Sequence, residues 1–94
     1  MSTKIYDNSL ETTDFDVAGC LKAMGKQVNY HTFLNDSKKV KVKMCFDMEE
    51  QESRDFWDAW HKGTHQVEPK SFGLAIRDIR QSATAILKQE NGGY

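Results

Sequence analysis

The residue types best suited to chemistry in this sequence are its cysteines and histidines. Cys20 and Cys45 lie far apart in the chain. His61 and His65 have an H-x-x-x-H spacing, but Gly63 between them is expected to end the helix, so the two histidines need not share a face. A structural zinc site needs paired ligands at short spacing, so we expect no metal site and no cofactor. Cys20 falls on the apolar side of a predicted helix, where a thiol behaves as a small hydrophobic group. The sequence therefore predicts no catalytic residue and no enzymatic activity.

A row of lysines is the stronger candidate for a functional surface. Lys39, Lys41 and Lys43 alternate with apolar residues, a pattern typical of a strand with one buried face and one solvent-facing face. His31 and Phe33 lie on the corresponding side of the preceding predicted strand. Lysines there could neutralise phosphates while Phe33 stacks on a base, which predicts contact with RNA or DNA. The alternative is that the lysines only protect a sheet from aggregation.

An acidic segment follows the lysine row. Residues 47–58 contain six acids and one arginine. The carboxylates of the candidate acidic surface are Glu49, Glu50, Asp55 and Asp58. A solvated helix face is the simplest interpretation, but clustered carboxylates could also enter a basic channel of another macromolecule by imitating phosphates.

A third candidate surface lies on the last predicted helix. Lys70 and Arg77 fall along its outer side, close to Leu74, an apolar residue out of register with the core stripe. An exposed apolar residue between two cations is typical of a contact surface for a partner. We therefore expect either this side of the helix or the lysine row to contact a partner.

The bulk properties limit the possible classes. The chain has 94 residues and a formal net charge of −1, enough for one domain, 1–94, without the basic excess of an obligate nucleic-acid binder. No apolar run is long enough for a membrane span, and the first residues lack the apolar segment of a secretory signal. Two distant cysteines favour a reduced cytoplasmic setting. Residues 1–10 are expected to be an extra edge strand or flexible, and residues 89–94 a frayed tail.

Periodicity predicts the elements that position these surfaces. A first helix opens with a capping pattern at Thr13 and Asp16 and stops at Gly25. A β-hairpin follows, then a helix that starts from an Asp47 and Glu50 cap. The last helix starts at Pro69, the position that proline favours. We expect an α+β fold in the order α-β-β-α-α, with three helices on one face of a small antiparallel sheet.

The hairpin register follows from which residues must share a face. Pairing Leu34 with Val40 and Tyr30 with Met44 places both apolar sets together, whereas a shift of one residue mixes apolar and charged sets. This requires a three- or five-residue connection, most simply 36–38. The apolar residues of the second strand, Val40, Val42, Met44 and Phe46, should then face the helices.

Several segments together resemble a small phage and bacterial family of unknown function. They are a T-x-D entry to a short helix, a hairpin ending in an aromatic before an acidic cap, the RDFW helix, and VEPKSF before the last helix. The resemblance covers roughly 12–87 and supplies no catalytic residues. Size and split charge are also similar in style to anti-CRISPR proteins. The two charged poles and the lack of a catalytic constellation favour a non-enzymatic inhibitor that binds a host protein or ribonucleoprotein complex, and the alternative is an autonomous nucleic-acid-binding or regulatory module.

Overall fold

The computed structural model describes residues 3–63 and 67–90 and has an α+β fold. Its strands and helices, in chain order, are β1 Thr3–Ile5, β2 Ser9–Thr12, α1 Phe15–Ala23, β3 Asn29–Leu34, β4 Val40–Asp47, α2 Glu50–Lys62 and α3 Pro69–Glu90. The expected class is confirmed, but the expected order α-β-β-α-α is incomplete because two strands precede α1. The expected frayed tail begins within α3, and residues 91–94 lie outside the described part.

The sheet has four antiparallel strands in the order β1-β2-β4-β3. The first segment is therefore a hairpin of its own, and its strand β2, rather than β3 alone, flanks β4. Leu10 pairs with Phe46 and Thr12 pairs with Met44, and all four side chains are buried. Burial of these cross-strand pairs is what joins the two hairpins into one sheet.

The predicted register of the β3–β4 hairpin is confirmed over most of its length. Leu34 pairs with Val40 and Tyr30 with Met44, while the ladder stops at Cys45 and leaves Val28 outside β3. Residues 35–39 form the connection. Within it, Asn35 N–H donates to the Lys39 carbonyl and Lys38 takes a left-handed backbone with φ 60°. This closes a three-residue loop at 36–38.

Helix packing covers less of this hairpin than the alternation predicted. The helices contact β1, β2 and β4, and the side chains of Met44 and Phe46 are fully buried beneath them. Val40 is only half-buried and Leu34, its partner, is 66% exposed. The loop end of the hairpin therefore extends beyond the helical layer.

The cap of α1 differs from the prediction by one residue. Asp14, rather than Thr13, is the N-cap, and its carboxylate accepts a hydrogen bond from Asp16 N–H at 2.8 Å. At the other end Gly25 has a φ of 95°, and the N–H groups of Gly25 and Lys26 donate to carbonyls of the last turn. This is a Schellman motif, and it confirms the predicted stop.

The start of α2 is capped by a distant loop rather than by its own side chains. Asp47 ends β4, and the N-cap residue, Glu49, makes no side-chain capping bond, so the expected Asp47 and Glu50 cap is wrong. The N–H of Glu50 instead donates to the Asp7 carbonyl at 3.0 Å, in the β1–β2 turn. Gly63, with a φ of 68°, ends α2 as predicted.

Two helices approach each other closely at a glycine. A β-carbon built on Gly19 of α1 would lie 2.5 Å from Ile76 Cγ1 on α3. Ile79 and Ala83 of the same stripe are buried in the common core with Val17. Gly19 therefore sets the distance between α1 and α3.

Candidate polyanion-binding surface

The sheet face away from the helices brings the predicted basic residues together. His31 lies opposite Lys43, and Phe33 lies opposite Lys41, on neighbouring positions of β3 and β4. Lys41 and Lys43, two apart on β4, are about 6.5–7 Å apart, and Lys39 precedes them in the connection, directly before the strand. We call the surface of these five residues the basic face.

The three lysines of the row are not equivalent. Lys43 Nζ lies 2.8 Å from Glu11 Oε1 on β2, and its side chain is one third exposed. The hydrogen bond to Glu11 raises the pKa of Lys43 above its usual value, so this ammonium is held in its charged form but is already neutralised. No ion pair of Lys39 or Lys41 is found among the described residues, and both are exposed. The uncompensated charge of the row is therefore carried by Lys39, in the connection, and by Lys41, near the start of β4.

Two clefts adjoin the basic face, and Phe33 lines both of them. The first, of about 160 Å³, has the charged residues Lys4, Glu11 and Lys43 in its wall. The second, of about 480 Å³, lies between Phe33 and Leu87 of α3 and is mainly apolar. Phe33 is thus a shared wall between a charged cleft and an apolar one.

The acidic surface is partly neutralised by its own helix. The carboxylate of Glu50 bonds Arg54, and that of Asp58 bonds Lys62, each one helical turn away. Asp55 accepts a hydrogen bond from the Gln51 side chain. These exposed i, i+4 pairs are typical of a solvated helix face and reduce the field available to a basic partner. Glu49, beside the start of α2, is exposed.

The third candidate surface lies in the helical layer. Lys70, Leu74 and Arg77 are exposed along α3, and Leu74 is 51% exposed. The basic face lies on the opposite side of the sheet from this layer. The structure therefore separates the two basic surfaces, so a variant of one leaves the other intact.

The thiols have the surroundings of unreactive groups. Cys20 is buried, and burial raises the pKa of its thiol. Burial is also the main cause that raises the pKa of Cys45, with the nearby Glu11 carboxylate adding to it. Both groups are therefore protonated at neutral pH, a state in which a thiol is a poor nucleophile.

No candidate metal centre was found in the described ranges. Within 3–63 and 67–90, no three or more His, Cys, Asp or Glu side chains are grouped to hold a metal ion. His65 lies outside these ranges, so the expected absence of a metal stays a prediction. In the same ranges no helix has the length and apolar character needed to cross a membrane.

Comparison of the chain with protein-family models, with curated proteins and with solved structures found no significant match. The resemblance to a phage and bacterial family therefore stays a prediction. The choice between candidate functions therefore rests on the geometry of the basic face, the acidic surface and the outer side of α3.

Sequence reasoning missed the contributions of Lys4 and Glu11 and did not place Phe15 in a cleft. Glu11 and Lys4 face each other across the β1–β2 hairpin, and Glu11 neutralises Lys43. Phe15 lines the apolar cleft, and the Arg80 guanidinium lies 5.7 Å from its ring centre. The alternation in SLET was too short a signal to place Glu11 beside β4.

Proposed function

We propose that this protein is a non-enzymatic inhibitor of phage type that binds a bacterial defence ribonucleoprotein and blocks its access to nucleic acid. The observation that carries the proposal is the basic face, where the exposed Lys39 and Lys41 have no ion pair within the described chain and Lys41 lies opposite Phe33. Aligned cations with an adjacent aromatic ring suit a phosphate backbone with accessible bases.

Charge distribution supports a docked complex over general nucleic-acid binding. The net charge of −1 and the acids of α2 oppose random approach of a polyanion, while the basic face attracts one in a single orientation. The second candidate is an autonomous nucleic-acid-binding module, which the position of the half-buried Phe33 opposite the exposed Lys41 favours.

The proposal predicts that charge reversal on the basic face abolishes binding. We expect the Lys39→Glu/Lys41→Glu variant to stay folded, because both side chains are exposed, and to lose capture of the target complex from a bacterial lysate. Lys43 is kept, because a glutamate there would oppose Glu11. The wild-type interaction should weaken as salt rises from about 50 to 200 mM.

The matched control reverses two cations on the other basic surface. Lys70→Glu/Arg77→Glu should retain the target complex. If Lys70→Glu/Arg77→Glu lost the target complex while Lys39→Glu/Lys41→Glu still captured it, the contact would lie on α3 and the proposed surface would be refuted. Equal binding of free RNA and of the complex would favour the autonomous module.

A further inference from the structure

We infer that the apolar cleft beside the basic face receives one unpaired base of a single-stranded nucleic acid. This inference rests on the proposed function, because the same face holds the phosphates, and it specifies the form of nucleic acid that the face accepts. The cleft is walled by Phe33 on one side and by Phe15 and Leu87 on the other.

The origin of the cleft is the short length of β2. This strand ends at Thr12, opposite Met44, so residues 40–43 of β4 have no paired strand on that side within the described chain. Strand geometry directs the N–H and C=O groups of alternate residues toward this open side. Part of this backbone therefore faces the cleft, which Lys41 and Val42 line.

The chemistry of the walls matches a nucleobase. Phe33 and Phe15 offer aromatic surface, and stacking on such side chains is a general source of affinity for unpaired bases. A base also has donors and acceptors on its edge for the free strand backbone, which an aliphatic side chain lacks. The volume of about 480 Å³ falls within the usual range of small-ligand sites.

Charge places the sugar–phosphate chain at the mouth of the cleft. Lys41 lines the cleft itself, and Lys43 lies in the neighbouring charged cleft, with Phe33 between them. A strand that follows the lysine row would pass its phosphates along Lys39 and Lys41 and turn one base inward at Phe33. Duplex bases are stacked and paired, so a duplex cannot make this contact without unpairing.

The wall is mostly apolar, so the base should be bound with little sequence preference. Apart from Thr13 and Lys41, the residues in it have no polar side chain. Stacking is tolerant of base identity, because every base has an aromatic face. The site is therefore expected to distinguish single strands from duplexes rather than one sequence from another.

The test is fluorescence anisotropy with two labelled probes of about ten nucleotides, an oligouridine and an abasic oligomer with the same number of phosphates. Wild-type protein should bind the oligouridine more tightly. Phe33→Leu, which keeps an apolar side chain but removes the ring, should weaken oligouridine binding by about 5–150-fold and leave abasic binding unchanged. Lys41→Gln should weaken binding of both probes.

The outcomes separate the inference from the proposed function. The base site would be overturned if wild-type protein bound the two probes equally, Phe33→Leu had no effect on affinity and Lys41→Gln lowered it. That result would still support the basic face. Absence of binding to both probes, with capture of the host complex still lost in Lys39→Glu/Lys41→Glu, would overturn it in favour of a protein segment in the cleft. Circular dichroism and a melting curve check that each variant is folded.

Discussion

At the scale of single residues, the lysines of the basic face differ in whether they have an ion-pair partner. Lys43 has its partner in Glu11, whereas Lys39 and Lys41, on the same row, have none within the described residues.

A single polar residue is also notable in the core. Ser53 is fully buried on α2, and its hydroxyl has no hydrogen-bond partner in the described structure.

Replacement of Ser53 by alanine should stabilise the protein. The variant removes a buried hydroxyl whose desolvation costs about 1–3 kcal/mol and adds a better helix former. Ser82→Ala, at a half-buried position of α3, measures the gain in helix propensity alone. Urea unfolding should show a free energy of unfolding higher in Ser53→Ala by about 1 kcal/mol or more than in Ser82→Ala. A lower value in Ser53→Ala would mean that its hydroxyl is satisfied.

At the scale of elements, backbone contacts between distant segments decide how the helices sit on the sheet. The β1–β2 turn caps α2 through the Asp7 carbonyl, so this hairpin fixes the start of a helix far along the chain. Gly19 lets α3 approach α1 at Ile76. Both contacts depend on close approach of main chain, which composition alone does not reveal.

Two glycine-to-alanine variants test the packing of α1 on α3. Gly19→Ala should lower the free energy of unfolding by about 1–3 kcal/mol, because its methyl group would clash with Ile76 Cγ1, 2.5 Å from the ideal position. Gly73→Ala is the control, since a β-carbon there meets nothing within 4 Å. It should raise the free energy of unfolding by about 0.5–1 kcal/mol through helix propensity. Equal increases in the two variants would contradict the close approach.

At the scale of the whole molecule, one face of the sheet packs against the helices in the core, and the opposite face carries charged side chains. Helices cover the apolar side, and the opposite side combines the basic face with the Glu11 carboxylate and the Cys45 thiol. This division allows the candidate surface to be changed without loss of the core. Stability should also depend on pH, because burial of Cys20 and Cys45 disfavours the charged form of both thiols.

Stability should decrease as pH rises above about 9. Burial raises the pKa values of Cys20 and Cys45 in the folded state above the ordinary 9.0, so their contribution is present below that pH and is lost as pH rises through the folded-state pKa values. The pKa of Lys43 is also raised, and its contribution is lost only at higher pH, above 10.5. Urea midpoints measured with reductant between about pH 7 and 10 should fall.

The double variant Cys20→Ala/Cys45→Ala supplies the control for this pH dependence. It should be less stable at neutral pH, because Cys20 fills space in the core, but its midpoint should decline less steeply above pH 9.0. The same slope in both proteins would show that the thiols do not cause the alkaline loss.

Local patterns in the sequence determined the features that depend only on neighbouring residues. Alternation over 40–46 defined the two faces of β4, and turn and helix-end preferences placed the ends of helices at Gly25, Gly63 and Pro69. These predictions succeeded because strand parity and positive φ at a helix end are properties of short segments. The lysine row and its neighbours Phe33 and His31 followed from the same parity.

Only the tertiary structure decided which of these residues meet partners from elsewhere in the chain. The insertion of β2 beside β4 gave Lys43 a carboxylate and left 40–43 with an open side. The cap of α2 came from the Asp7 backbone carbonyl, which has no side-chain signature. The physical reason is that a four-residue strand and a backbone carbonyl have little local pattern, so their positions are set by burial of Leu10 against Phe46 across the folded chain.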